Sequence, residues 1–274
     1  MQHVNLPDVE LEFHSAGQGP PVLLIHGGNT ARGFEPLARQ PELVDRYQVV
    51  WYCRRGYAGS SPVTGSTSIA EQAVDALQLI DHLELDGIHL IGHSLGGQIA
   101  LELAATAPDR IRSLTLMEPL LQDVPSAPAF LGGIAPAMEA YQEGRVADAA
   151  RIMFETVAGP EWPRVVASVP SAYDDAVRDS PTFFGAESAA LAQWSFDAER
   201  ASNITAPVLS VVGSASGPFF AEGRELLHSW FPGCTDADVD ATHFLPLEKP
   251  GAVADVLAGF LATVDASQPS GGRA

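Results

Sequence analysis

The sequence contains little cysteine and no histidine spacing that is typical of a metal site. Cys53 and Cys234 are its two cysteines; they lie far apart and form no CxxC pair. The eight histidines show no HExxH or similar pattern. Neither a disulfide framework nor a zinc site is therefore indicated. We expect no metal and no organic cofactor.

Basic charge is scarce. The 274 residues include 15 Lys and Arg against 34 Asp and Glu, for a formal net charge of −19. Because an acidic surface repels phosphate backbones, we expect no nucleic-acid partner.

Long apolar runs and a basic N-terminus are also missing. No run approaches the roughly 20 apolar residues that a membrane-spanning helix needs. Asp8, Glu10 and Glu12 stand in the first segment, where a signal peptide would carry basic residues. The sequence thus predicts a cytoplasmic protein with no membrane partner, as a monomer or homodimer.

Short apolar runs alternate with helical patterns along much of the chain. Strands are predicted at 9–15 (an edge strand), 21–25, 47–52, 88–91, 114–117, 207–212 and 237–239. Helices are predicted at 69–83, 95–107, 221–231 and 250–264. Strands that are apolar on both faces and are followed by helices indicate an α/β fold with a mostly parallel central sheet flanked by helices.

The pattern changes after Pro119. Residues 120–200 contain helical stretches, prolines and scattered aromatics, but no buried-strand pattern. We interpret residues 1–119 and 201–265 as an α/β core and residues 120–200 as an inserted helical cap. Residues 266–274 are rich in small and polar residues and are predicted to form a disordered tail.

A G-x-S-x-G motif, Gly92-His93-Ser94-Leu95-Gly96, joins a predicted strand to a predicted helix. A nucleophilic serine on such a sharp turn tolerates only small neighbours, which explains Gly92 and Gly96. The helix N-terminus also offers free N–H groups and a positive dipole end to an oxyanion. The motif predicts Ser94 as the nucleophile; the alternative is an ordinary glycine-rich turn.

A second glycine-rich turn, His26-Gly27-Gly28-Asn29, follows the predicted strand 21–25. Its glycines would let the backbone approach a ligand closely. We expect the N–H groups of Gly28 and Leu95 to form an oxyanion hole, and Asn29 to add a side-chain donor.

His243 lies in a late loop before the final predicted helix. In proteins with a G-x-S-x-G turn the histidine comes last in the chain order, so His243 is the best candidate for the general base. His93 is inside the motif itself, which favours a packing role.

Four segments together resemble the α/β-hydrolase superfamily over about residues 9–264. They are His26-Gly27-Gly28, Arg55-Gly56-Tyr57-Ala58-Gly59-Ser60, the turn at Ser94, and Thr242-His243-Phe244-Leu245-Pro246-Leu247-Glu248-Lys249-Pro250. The resemblance implies a Ser–acid–His triad and a cap over the pocket. It does not specify a substrate.

The sequence departs from the family at the acid. Most members carry it in a Gly-x-x-Asp pattern after the sixth parallel strand, where this chain has Gly213-Ser214-Ala215-Ser216. Glu118 follows an earlier strand, as in members that resemble zearalenone-hydrolysing lactonases, and Pro119 biases it toward an extended backbone. We expect Glu118 to support His243; Glu222 or a Ser–His dyad remain alternatives.

The predicted cap is rich in aromatic residues, most of which we assign to its own core. Phe183 and Trp194 are predicted to contact the substrate. The expected substrate is a hydrophobic small-molecule carboxylic ester or lactone, cleaved through an acyl-enzyme. A C–C bond hydrolase or lyase on the same scaffold and a ligand-binding receptor are the alternatives.

Overall fold

The centre of the molecule is an eight-stranded sheet, seen in a computed structural model that describes residues 1–267. The strands are β1 (Gln2–Asn5), β2 (Glu10–Ala16), β3 (Pro21–Ile25), β4 (Gln48–Tyr52), β5 (Ile88–His93), β6 (Ile111–Met117), β7 (Val208–Gly213) and β8 (Thr235–Val239). Their order is β1-β2-β4-β3-β5-β6-β7-β8. β1 and β2 run antiparallel to their neighbours, and the remaining strands are parallel.

The helices either cover the two faces of the sheet or belong to the insertion between β6 and β7. They are α1 (Glu35–Ala38), α2 (Pro41–Val44), α3 (Ile69–His82), α4 (Leu95–Thr106), α5 (Ala127–Gln142), α6 (Val146–Ala158), α7 (Trp162–Val165), α8 (Ala172–Ser180), α9 (Ser188–Gln193), α10 (Ala198–Ala201), α11 (Pro218–Trp230), α12 (Leu245–Glu248) and α13 (Pro250–Ser267). Short 3-10 turns lie at Pro108–Arg110 and Val166–Ser168, and a π-helical segment at Pro181–Glu187. No helix within residues 1–267 is long and apolar enough to cross a membrane.

The strands are apolar on both faces because both faces are covered. On β3, Leu23 and Ile25 belong to a buried cluster with α3 and α4. Val22 and Leu24 point the other way, into a cluster with α1, α2 and α13. The prediction of a mostly parallel sheet flanked by helices is confirmed.

The edges of the fold differ from the prediction. The predicted edge strand at 9–15 is β2, and β1 forms the edge beyond it. β1 escapes a pattern search because only Val4 of its four residues is buried. At the other end, α13 runs to Ser267, so the first two residues of the predicted disordered tail are helical. The rest of that tail, residues 268–274, lies outside the described residues.

The chain between β6 and β7 forms helices α5 to α10 and the π-helical segment, which ends at Glu187. Glu187 is fully buried, forms an ion pair with the buried Arg54, and accepts a hydrogen bond from the Tyr57 hydroxyl at 2.6 Å. Thr182 donates a hydrogen bond to the backbone oxygen of Gly56 at 2.6 Å. The helical insertion is thus tied to the loop that follows β4.

Candidate active site

The candidate site lies at the carboxyl edge of the parallel strands. The turn after β3, Ser94 after β5 and Glu118 after β6 meet there because these strands are adjacent and parallel. Open α/β sheets build their sites at this edge. His243 lies in the loop after β8.

Ser94 forms a strained turn between β5 and α4. Its φ of 55° and ψ of −123° are unusual for a residue with a side chain, and that side chain makes no capping hydrogen bond to α4. A Cβ atom at Gly92 would collide with the carbonyl oxygen of Gly96, and one at Gly96 would collide with that of Ile25. Glycine is therefore required on both sides of the serine.

Glu118 and His243 form a buried hydrogen-bonded pair. His243 Nδ1 lies 2.6 Å from Glu118 Oε2, and the side chains are 5% and 0% exposed. The other carboxylate oxygen, Oε1, accepts the N–H of Gly213 at 2.7 Å. Since Nδ1 faces the carboxylate, Nε2 is the ring nitrogen left for proton transfer.

The backbone of Glu118 corrects the sequence prediction. It is not extended: its φ is 47°, in the left-handed region. Its N–H donates to the backbone oxygen of Val211 at 3.2 Å, and its carboxylate accepts the N–H of Gly213. These contacts stabilise a conformation that Pro119 alone would disfavour.

Burial shifts the pKa values of the pair. It lowers the pKa of His243 well below its ordinary value, which keeps the imidazole neutral and able to accept a proton. It raises the pKa of Glu118 to about 7, and the Ser216 side chain and the Gly213 N–H oppose this rise. The Ser216 hydroxyl is buried beside this pair, although it makes no well-formed hydrogen bond within residues 1–267.

Two further rings hold His243. Phe220 stacks on its imidazole, with ring centroids 4.2 Å apart and planes at 13°. His93 Nε2 donates to the backbone oxygen of His243 at 2.8 Å. Burial lowers the pKa of His93 to about 3, so it stays neutral. His93 thus supports the backbone of His243, whereas the contact that Phe220 makes has no signal in the sequence.

The turn after β3 lies directly beside Ser94. A Cβ atom at Gly27 would be 3.0 Å from Ser94 Cβ, and one at Gly28 would collide with the ring of Phe183. From behind, Arg54 Nε and Nη2 donate to the backbone oxygens of His26 and Gly27 at 3.1 and 2.9 Å. Arg54 thereby fixes the peptide that precedes Gly28. The first N–H groups of α4, including that of Leu95, have no acceptor within the helix.

Ser94, His243, Gly28 and Phe183 line one cavity, which we call the inner chamber. Its volume is about 40 Å³. The remaining walls are Thr30, His93, Leu120, Phe130, Ile134, Met153, Phe154, Val157 and Phe244. None of these side chains is a Lys, Arg, Asp or Glu. Within residues 1–267, no group of His, Cys, Asp and Glu is arranged to hold a metal ion.

Two expectations and one alternative do not fit this geometry. Asn29 is buried and does not line the inner chamber, and its side-chain amide has no partner among the described residues. Trp194 instead donates from Nε1 to Glu102 at 2.9 Å and stacks on Phe196. Glu222, the alternative acid, accepts hydrogen bonds from the N–H and hydroxyl of Ser126 at 2.8 and 2.6 Å. Its contact joins α11 to α5.

Comparison with known proteins identifies the family. A model of the alpha/beta hydrolase fold matches residues 20–250, and the chain belongs to this family. A 2-hydroxy-6-oxononadienedioate/2-hydroxy-6-oxononatrienedioate hydrolase of Paraburkholderia xenovorans (strain LB400) is 34% identical over 115 residues, which are 40% of each chain. Matches to curated relatives span 28% to 44% of each relative's length.

Solved structures show the same fold over nearly the whole chain. A thermophilic esterase from Thermogutta terrifontis superposes with a TM-score of 0.80 at 24% identity, covering 96% of this chain and 99% of the other. The enol-lactonase from Burkholderia xenovorans LB400 superposes with a TM-score of 0.75 at 20% identity, covering 95% and 100%. At these identities the likeness establishes the fold alone.

Proposed function

We propose that this protein is a serine-dependent hydrolase that cleaves the carboxylic ester or lactone bond of a neutral, hydrophobic small molecule. The observation that carries the proposal is the buried Glu118–His243 pair, 2.6 Å apart, which faces the same chamber as the strained Ser94. A nucleophile, a base and a group that orients the base are the parts that acyl transfer requires.

In the first half of the reaction, Ser94 Oγ attacks the carbonyl carbon while His243 Nε2 accepts the hydroxyl proton. The N–H groups of Gly28 and Leu95 stabilise the negative charge that develops on the carbonyl oxygen. The tetrahedral intermediate then collapses. The alkoxide leaves with the proton from His243, and an acyl ester remains on Ser94.

In the second half, water replaces the alcohol. His243 takes a proton from the water, and the resulting hydroxide attacks the acyl carbon through a second tetrahedral intermediate. Collapse expels Ser94 Oγ, which regains its proton from His243, and the acid is released. Glu118 acts throughout by holding Nδ1 in its protonated tautomer and by stabilising the imidazolium.

The walls of the inner chamber support a neutral substrate. They combine mainly aliphatic and aromatic side chains, and the residues from 1 to 267 contribute no Lys or Arg to them. The relative from Paraburkholderia raises an alternative, since its name specifies a dioate substrate. A dianion requires cationic partners, so the composition of the chamber favours the neutral ester.

The test is a panel of neutral esters and lactones, assayed with the wild-type protein and Ser94→Ala. We expect wild-type turnover of at least one class and a loss of about 10³-fold or more in Ser94→Ala. Folded wild-type protein that turns over none of the panel, but retains a ligand, would instead support the receptor alternative.

A further inference from the structure

A second and larger cavity, which we call the outer chamber, adjoins the inner chamber. Its volume is about 410 Å³, within the range of sites that enclose a drug-sized ligand. Residues of α5 and α9 contribute to its wall, among them Leu131, Ala135 and Leu191. Leu131 is 45% exposed, which is unusual for a large apolar residue in this molecule, and marks the rim of the chamber.

Four residues line both chambers and therefore separate them: Leu120, Phe130, Ile134 and Phe183. Phe183 lies in the π-helical segment, and its ring packs against the backbone of Gly28. Irregular helical turns of this kind often place functional side chains. The ring of Phe183 thus borders the proposed oxyanion hole on one side and the outer chamber on the other.

The surface of the outer chamber is suited to a neutral apolar group. Two of its polar side chains donate hydrogen bonds within the protein: Gln122 Nε2 to the backbone oxygen of Leu191 at 3.0 Å, and Ser188 Oγ to that of Phe184 at 2.7 Å. Glu139 is the one charged residue that the described part of the chain contributes to its wall, and its negative charge disfavours an anionic ligand. Among residues 1–267, no cation lines the chamber to anchor a carboxylate or a phosphate.

The two volumes differ tenfold and set different limits on the substrate. At roughly 10–15 Å³ per water, the inner chamber holds the equivalent of about three waters. That space suits a carbonyl and a short substituent, but not a ring or a long chain. Any long apolar group of the substrate must therefore pass Phe183 and lie in the outer chamber.

We infer that the outer chamber binds the long apolar arm of an ester whose other arm is short, and that Phe183 is a specificity-determining residue between the two. This inference rests on the proposed function. The arm is an unbranched or slender hydrocarbon group, on either the acyl or the alcohol side. Burial of each methylene favours binding by up to roughly fourfold.

Two homologous substrate series test the inference and separate the two sides of the ester. One is the p-nitrophenyl alkanoates from acetate to decanoate, and the other is the alkyl acetates from ethyl to decyl. We expect kcat/KM to rise with chain length in one series by up to about fourfold per methylene, and then to level off when the chamber is full.

Ala135→Trp fills the outer chamber from its exposed wall, and Ala129→Trp is the matched control. Ala129 lies on the same helix, is also exposed, and lines neither chamber. The relevant ratio compares kcat/KM for a long and a short member of the series that responds to chain length, such as octyl and ethyl acetate. This ratio should fall at least about tenfold in Ala135→Trp, because the loss of two buried methylenes alone lowers binding roughly sixteenfold. The ratio should stay at the wild-type value in Ala129→Trp. Ala192→Trp, on α9, repeats the test from a second element.

Phe183→Ala joins the two chambers. It should raise kcat/KM for esters that are branched next to the carbonyl relative to kcat/KM for the acetate. A flat chain-length profile in both series, or an unchanged ratio in both Ala135→Trp and Ala192→Trp, would overturn the inference. Hydrolysis of short esters would still support the proposed function in that case. Absence of hydrolysis at every chain length would overturn the inference, and absence of lactone hydrolysis as well would refute the proposed function.

Discussion

Replacing Glu118 with glutamine would remove the negative charge 2.6 Å from His243 Nδ1 while keeping the size of the side chain. The carboxylate accepts a hydrogen bond from the protonated Nδ1, which leaves Nε2 unprotonated and free to act as the base. A glutamine whose amide donates to Nδ1 selects the opposite tautomer, in which Nε2 carries the proton and cannot accept another. Support for the imidazolium is lost as well.

The structure sets the expected size of this effect. Because the pair is buried, bulk water does not compensate His243 for the loss of the negative charge. We expect kcat of Glu118→Gln and Glu118→Ala to fall by about 10²- to 10⁴-fold on any ester that the wild-type protein cleaves. KM should change much less, because Glu118 does not line either chamber.

The assay is steady-state hydrolysis, with circular dichroism to verify that each variant is folded. Glu222→Gln is the matched control, since Glu222 bonds to Ser126 and not to His243. Ser216 provides a rescue test, because it occupies the position where most family members carry the acid and lies beside Glu118. Ser216→Asp in the Glu118→Ala background should recover at least about tenfold of the lost kcat. Turnover of folded Glu118→Gln within threefold of wild type would refute the role of this carboxylate.

Three other predictions concern the same region. Because burial raises the pKa of Glu118 to about 7, kcat/KM should fall as the pH drops through that range and the carboxylate gains a proton; a pH–rate profile that stays level down to pH 5 would contradict this. Glu187→Ala should lower the free energy of unfolding, measured in urea, by about 3–5 kcal/mol, because it leaves Arg54 buried without its ion-pair partner. The double variant Arg54→Met with Glu187→Leu should recover part of that loss. Equal stability of wild type and Glu187→Ala would contradict this prediction. Gly28→Ala should lower kcat by forcing Phe183 off the turn, and Phe183→Ala should partly restore it; a folded Gly28→Ala protein with wild-type kcat would show that the turn tolerates a side chain.

The features that could be predicted from sequence are those encoded over short stretches. The continuous apolar residues of β3 predict a strand that is buried on both faces, and the glycines around Ser94 predict a sharp turn. Few other backbone conformations fit these residues. Glu118 could be predicted as the acid for two reasons. Position 216 holds a serine where most family members carry an aspartate, and Glu118 is a carboxylate at the end of a predicted strand.

The features that were missed depend on contacts between distant segments. Trp194 was predicted to contact the substrate because it is aromatic. Its indole N–H instead donates a hydrogen bond to Glu102, which is 92 residues away in the sequence. Phe220 reaches His243 only through the packing of α11. The division of the pocket depends on where the π-helical segment places Phe183. Composition and periodicity carry no signal for such arrangements.

Labelling with a fluorophosphonate probe, followed by mass-spectrometric mapping of the modified peptide, shows whether His243 activates Ser94 as a nucleophile. The probe reacts with a serine that an adjacent base activates. We expect stoichiometric modification of Ser94 in the wild-type protein, much slower modification in Glu118→Gln, and none in Ser94→Ala. Folded wild-type protein that remains unlabelled, or that carries the label on another residue, would contradict this expectation.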